Sequence, residues 1–169
     1  MIGPMVSIPQ TTMSVEVQRQ LTLDGIPDDA ELLRFAAIAL DDEPAEICLR
    51  IVDEAEGRAL NLQWRGKDGA TNVLSFSGER PPGLPTDALP SLFGDIVLCA
   101  PVIAREAAAQ GKPLAEHWAH LVVHGVLHLR GFDHIEADKA AAMEALECRL
   151  LAGLGIADPY HRDDSDAVA

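Results

Sequence analysis

The chain has 169 residues, 48% of them hydrophobic and 24% charged, with a formal net charge of -14. This size suits one globular domain and argues against two full ones. The excess of acidic residues excludes a protein that coats nucleic acid or membrane through bulk attraction, so any polyanion must bind at a local basic patch. Three cysteines without a Cys-x-x-Cys pair argue against a disulfide framework or a thiolate zinc site.

Alternating and periodic apolar positions predict strands and helices in turn through the N-terminal half. Residues 1–13 have no apolar periodicity and are expected to be a flexible leader. Asp28 and Asp29 are typical of a helix start, and Pro44 follows that helix. The predicted elements are a strand over 15–20, a helix from 29 to 40, a strand over 46–53, a helix over 54–64 and a short strand over 72–77.

The C-terminal half is predicted to be mostly helical. A loop over 78–90, rich in proline and glycine, precedes a strand over 95–100. Helices are then predicted from Pro101 to a stop at Gly111, from Pro113 onward, and over 136–153, before a polar tail at 161–169. The element order predicts an α+β fold, a small mixed β-sheet packed with several α-helices, in one domain over 14–160.

Five of the six histidines lie in the segment HWAHLVVHGVLHLRGFDH. On a helix His117, His120, His124 and His128 share one face, within roughly 80°. His124 and His128 are four residues apart, which places two imidazoles one turn apart, as in zincin helices. Gly131 can end the helix with a positive φ, so that His134 returns toward the same ion.

Three histidine ligands, His124, His128 and His134, predict one bound metal ion per chain. Neutral imidazoles suit zinc, and a site with three protein ligands keeps an open position for catalysis. His117 and His120 lie too far toward the start of the helix for all five histidines to bind one ion. His120 either lines the cleft or is a core histidine.

A zincin protease has glutamate directly after the first histidine, and this chain has Gly125 there. Peptide hydrolysis by that route is therefore disfavoured. The glycine suggests that space is needed near the metal, for close backbone packing or for a bulky substrate. Asp133 is the nearest carboxylate, and a role as a turn residue or as a hydrogen-bond partner of a ligand histidine is favoured over that of a general base.

Four blocks of this sequence resemble the YbeY family of bacterial endoribonucleases: LNLQWRGKDGATNVLSF, FGDIVLC, HGVLHLRGFDH and EALECRLLAGLGIADPY. The resemblance covers residues from about 45 to 160. It implies a zinc-dependent, single-strand-specific endoribonuclease that acts in 3′-end maturation of small-subunit ribosomal RNA and in ribosome quality control. It also implies that the partners are single-stranded RNA and the ribosome or its small subunit, with no DNA expected. The first eighteen residues contain no Lys or Arg and no apolar run has the length of a membrane span, so a cytoplasmic location without membrane contact is expected.

The resemblance carries the metal ligands over as His124, His128 and His134, and the family's functional arginine as Arg65. Trp64 and Phe132 stand where the family often has tyrosine, which keeps the ring and loses the hydroxyl.

Arg65 lies in the basic stretch from Arg58 to Lys67, which contains no acid. A guanidinium there can stabilise the added negative charge of a phosphodiester transition state, with Lys67 and Arg58 on flanking phosphates. The simpler alternative for Arg65 is a salt bridge to an acid such as Asp68. Two other functions stay open: a non-catalytic ribosome-assembly factor stabilised by zinc, and a hydrolase of another bond that uses Asp133.

Overall fold

The computed structural model describes residues 13–78, 92–132 and 136–160. Within these ranges four strands and five helices follow the predicted order. They are β1 (Met13–Arg19), α1 (Asp29–Leu40), β2 (Ala45–Val52), α2 (Glu54–Arg65), β3 (Val73–Ser77), β4 (Leu92–Cys99), α3 (Ala100–Gln110), α4 (Leu114–Leu129) and α5 (Ala137–Gly153).

Local capping signals set most helix ends. The carboxylate of Asp28 accepts a hydrogen bond of 2.8 Å from the backbone N–H of Glu31 at the start of α1, and Asp53 accepts an equivalent bond at the start of α2. These bonds satisfy amide groups that have no partner inside the helix. Helix α2 ends at Gly66, where φ is 68°. This left-handed conformation is the usual glycine helix stop.

The four strands form one mixed sheet in the order β1-β2-β4-β3. Strands β1, β2 and β4 run parallel, and β3 pairs antiparallel with β4 at the edge of the sheet. The α+β prediction with a small mixed sheet is therefore confirmed.

Alternating strand residues divide the buried side chains into two clusters. Ile47, Leu49 and Ile96 of the sheet join the main core with α1, α4 and α5. Leu74 and Val97 face the other way, toward Leu60 of α2. Helix α4 lies in the main core, with Trp118, Val122 and Leu127 at most 1% exposed, so that its position depends on apolar packing along its length.

Most predicted boundaries agree with the structure to within two residues. Strand β4 begins at Leu92, three residues before the predicted start at Asp95. Gly94 interrupts the apolar pattern there, and pairing with β3 and β2 extends the strand across it. Of the leader predicted over 1–13, residues 1–12 lie outside the described residues, and Met13 is the first residue of β1. Loop residues 79–91 and the tail over 161–169 also lie outside the described residues, and the single-domain organisation over 14–160 stays a prediction.

Gly94 is expected to tolerate no side chain. A Cβ at this position would collide with the carbonyl oxygen of Phe76 and lie 3.0 Å from Cδ2 of Leu129. We expect Gly94→Ala to destabilise the fold by about 1–3 kcal/mol because β3 or α4 must move away from β4. Urea denaturation measures this, with Asp95→Ala at the neighbouring exposed position as the control. Equal unfolding midpoints for the two variants would contradict the close packing.

No helix within the described ranges is long and apolar enough to cross a membrane.

Candidate metal centre and adjoining pocket

Two histidine side chains of α4 face each other across one helical turn. The Nε2 atoms of His124 and His128 are 3.1 Å apart, and the ring centroids are separated by 4.6 Å. Two imidazole nitrogens bound to one tetrahedral zinc ion lie about 3.4 Å apart, given Zn–N bonds of about 2.0–2.1 Å. The pair therefore fits the first two ligand positions of such an ion with little rearrangement.

The chain reverses directly after this helix. Gly131 has φ of 99°, its N–H donates to the carbonyl oxygen of His128, and the N–H of Phe132 donates to that of Leu127. This is the glycine turn that the sequence predicts after the histidine helix. His134, the third predicted ligand, and Asp133 lie outside the described residues, so the three-histidine site and the function of Asp133 stay predictions.

Glu147 of α5 is a buried carboxylate beside the histidine pair. Its side chain is 1% exposed, and its Oε1 accepts a hydrogen bond of 2.8 Å from Nδ1 of His124. This bond places the proton of neutral His124 on Nδ1 and leaves the lone pair of Nε2 facing His128. Carboxylates commonly orient metal-binding histidines in this way.

Two further groups hold the other oxygen of Glu147. Its Oε2 lies 2.7 Å from Nε2 of His120 and accepts a bond of the same length from the Tyr160 hydroxyl. Burial alone would raise the pKa of the Glu147 carboxyl, but the hydrogen bonds from His120, His124 and Tyr160 outweigh burial and lower that pKa to about 2. Glu147 is therefore ionised at neutral pH.

The potential ligand atoms of His120, His124 and Glu147 lie within 4.8 Å of one another. This cluster, in which Glu147 is buried and the two histidines are partly buried, could hold a metal ion. Because the hydrogen bond to Glu147 uses Nδ1 of His124, the Nε2 atom of His124 is the one that faces His128.

His117 is a structural residue at the far end of the histidine row. Its ring is 4% exposed, and its Nε2 lies 3.0 Å from Oε1 of Glu106 on α3. Burial lowers the pKa of His117, which favours the neutral ring. The four histidines that share one helix face therefore have separate contacts. His117 contacts Glu106, His120 and His124 contact Glu147, and His128 faces His124.

A cavity of about 540 Å³ opens beside the histidine pair. His124, His128, Arg65 and Lys67 all line this cavity, which we call the metal pocket, and none of the described residues that line it is acidic. Such a basic pocket on a protein of net charge -14 is suited to a phosphate group.

Arg65 projects from the C-terminal end of α2 toward the edge strand. Its Nη2 lies 3.5 Å from the carbonyl oxygen of Ser75. The alternative of a salt bridge between Arg65 and Asp68 is wrong, because Asp68 accepts bonds of 2.8 and 3.1 Å from Arg58. Arg58 is thus engaged outside the pocket, while the guanidinium of Arg65 has no acidic partner among the residues described.

The structure assigns Gly125 to close backbone packing. A Cβ there would lie 2.9 Å from Cγ2 of Ile96 and 3.3 Å from Oγ of Ser75, and that hydroxyl donates a bond of 3.0 Å to the Gly125 carbonyl oxygen. Of the two uses that the sequence suggests for space at Gly125, close packing of α4 against β3 and β4 is the one seen.

Sequence reasoning missed Glu147 and Tyr160. The sequence does contain a signal for Glu147. Met143, Glu147 and Leu151 follow one another at intervals of four residues on one face of α5, and both apolar members of this series are fully buried. An acid within the buried stripe of a helix needs a partner. No comparable signal distinguishes Tyr160.

Comparison with known proteins connects this geometry with a family. The family model described as "Endoribonuclease YbeY" matches residues 26–155. A protein named endoribonuclease YbeY from Alkalilimnicola ehrlichii is 58% identical over 144 residues, which cover 83% of this chain and 86% of the relative. One of the same name from Pseudomonas entomophila is 52% identical over 159 residues, which cover 92% and 98%.

The solution structure of TM1509 from Thermotoga maritima shares the fold, with a TM-score of 0.50 at 21% identity over 88% of this chain and 99% of that one. The family match spans well over half of the sequence and includes α4 with its histidine pair, Arg65 and Glu147. The chain therefore belongs to the endoribonuclease YbeY family.

Proposed function

We propose that this protein is a zinc-dependent, single-strand-specific endoribonuclease of the cytoplasm. Its substrate is the 3′ end of precursor small-subunit ribosomal RNA, with a further role in ribosome quality control. His124, His128 and His134 hold one zinc ion, Arg65 is the catalytic residue, and residues 14–160 form the single domain. Membership of an endoribonuclease family makes the reaction class RNA hydrolysis.

One observation supports this function above the others: His124 and His128, whose Nε2 atoms face each other, line the same pocket as Arg65 and Lys67, and no described residue of that lining is acidic. A metal site and a basic phosphate site thus share one cavity. A phosphodiester fits both requirements, because it is anionic and its non-bridging oxygens become more negative as a nucleophile attacks the phosphorus.

Each residue of the site has its own role in the proposed reaction. Glu147 holds the ring of His124, so that Nε2 faces the ion. The guanidinium of Arg65 donates to non-bridging oxygens of the scissile phosphate, where two parallel hydrogen bonds are available. Lys67 attracts the neighbouring phosphate. When bound, a zinc ion supplies Lewis acidity and lowers the pKa of a coordinated water.

Cleavage of matched nucleic acids tests this function. The full chain, loaded with one equivalent of zinc, is incubated with a single-stranded RNA spanning the precursor 3′ end, its RNA duplex, and DNA of the same sequence. We expect cleavage of the single-stranded RNA only, and its loss on chelation. Cleavage of DNA at the same rate, or cleavage that persists in chelator, would overturn the proposal.

Substituting Glu147 is expected to weaken metal binding. We expect Glu147→Ala to lose about 10- to 100-fold in zinc affinity, because His124 then lacks its orienting carboxylate. Glu147→Gln should lose less, since its amide oxygen still accepts a hydrogen bond. Competition with a zinc-chelating dye measures the affinity, and Glu144→Gln, one turn earlier on α5, is the matched control. Unchanged affinity in Glu147→Ala would show that Glu147 does not orient the ligand.

A further inference from the structure

A second cavity lies on the other side of the edge strand β3, facing α2. It has a volume of about 630 Å³. The lining residues are Arg50, Leu60, Trp64, Ser75, Phe76, Ser77, Asp95 and Val97. Neither His124, His128 nor Arg65 is among these residues.

Two aromatic side chains line this cavity, Trp64, which is exposed, and Phe76, which is partly buried. The Trp64 side chain is 61% exposed, the highest value among the exposed large apolar residues of the described ranges. Its ring meets that of Phe76 edge to face, with centroids 6.1 Å apart and planes at 62°. The indole therefore keeps most of its surface in water, available for a flat ligand to stack on.

This cavity, which we call the aromatic cavity, adjoins the metal pocket at strand β3. Ser75 and Ser77 line both cavities. Trp64 and Arg65 are consecutive on α2, and Trp64 borders the aromatic cavity whereas Arg65 borders the metal pocket. A nucleotide chain that crosses the edge of β3 would meet both in succession.

Charge indicates which part of the nucleotide lies on each side. The aromatic cavity is lined by one acid and one base: Asp95 is exposed and repels a phosphate, whereas the guanidinium of Arg50 forms an ion pair of 2.6 Å with Glu56. Among the described residues, the lining of the metal pocket includes two basic side chains, those of Arg65 and Lys67, and no acidic one. Phosphate therefore belongs on the Arg65 side, and the neutral, flat base on the Trp64 side.

We propose that the Trp64–Phe76 cavity is a nucleobase subsite, in which an unpaired base next to the scissile phosphate stacks on the indole of Trp64. Stacking on an aromatic ring tolerates any base, so the subsite adds affinity without sequence readout. A base paired in a duplex must first lose its pairing and stacking to bind here, which favours single strands. This inference rests on the proposed function, because it assumes that RNA enters the metal pocket.

Fluorescence tests the subsite directly. The chain has two tryptophans, and Trp118 is 1% exposed. Quenching by a bound base therefore reports on Trp64. The zinc-loaded full chain is titrated with a short single-stranded RNA and with an abasic strand of the same length. We expect the RNA to quench emission and bind more tightly, while the abasic strand leaves the emission unchanged.

Variants then separate stacking from folding. We expect Trp64→Ala to weaken RNA binding roughly 5- to 100-fold and to raise KM with little change in kcat. Trp64→Phe keeps a ring and should retain most of the affinity. Leu62→Ala is the matched control, since Leu62 is 53% exposed on the same helix and borders neither cavity.

The outcomes distinguish the subsite from the function. Wild-type RNA affinity and KM in Trp64→Ala, with cleavage intact, would overturn the subsite and leave the endoribonuclease standing. Equal affinity of the wild-type chain for the RNA and for the abasic strand would also overturn the subsite and leave the endoribonuclease standing. A zinc-loaded chain that neither binds nor cleaves single-stranded RNA would overturn both, and the aromatic cavity would then be a protein-docking site.

Discussion

Substitution of His124 by alanine is expected to lower RNA cleavage at least about a thousandfold, because metal catalysis contributes several kcal/mol and each 1.4 kcal/mol is a factor of ten. The fold should survive. Helix α4 keeps its place through Trp118, Val122 and Leu127, whose packing does not require an ion. Single-turnover cleavage and circular dichroism of the same samples measure both effects.

The control for this substitution lies on the same helix. His117→Gln keeps a side chain that can contact Glu106, borders no part of the metal pocket, and should cleave close to the wild-type rate. Chelation should reproduce the loss seen in His124→Ala, and added zinc should restore the wild type only. If chelation unfolds the protein, zinc is a structural element and the assembly-factor hypothesis is favoured.

Substitution of Arg65 by alanine is expected to lower kcat about 100- to 1,000-fold, the usual cost of removing one donor to a developing charge. The effect on KM should be smaller, because the contact strengthens as the phosphate becomes more negative. Zinc affinity should not change, since Arg65 is no part of the proposed ligand set. Steady-state kinetics together with zinc titration measure these quantities.

A second arginine provides the comparison. Arg105 of α3 is also exposed and forms a 2.7 Å ion pair with Glu54, away from the metal pocket, so Arg105→Ala should retain cleavage. Arg65→Lys should recover only part of the rate, because an ammonium lacks the planar pair of donors. An equal loss in Arg65→Ala and Arg105→Ala would indicate a general charge effect, and would remove Arg65 from the transition state.

Local sequence was sufficient for most of the secondary structure. Asp28 and Asp53 cap helices by reaching amide groups three residues away, and Gly66 and Gly111 end helices in left-handed conformations. Because these contacts involve only residues close together in the sequence, they can be predicted without knowledge of the tertiary structure. The glycine turn at Gly131 belongs to the same class.

The candidate site was readable only in part. The four-residue spacing of His124 and His128 brings their Nε2 atoms together within one helix, which explains why sequence could indicate the pair. The carboxylate that orients His124 comes from α5, 23 residues later. Which residue supplies this carboxylate depends on the face of α5 that packs against α4, and Glu147 is the single buried acid on that face.

Sequence by itself determined the element order, the helix ends, the histidine pair and the family, because each depends on residues close together along the chain. Tertiary structure decided the rest. Asp68 binds Arg58, and the guanidinium of Arg65 lines the metal pocket instead. The insertion of β4 between β2 and β3 makes β3 an edge strand with a cavity on each side. Pairing between distant segments reflects the burial of apolar faces across the whole domain, which no local pattern specifies.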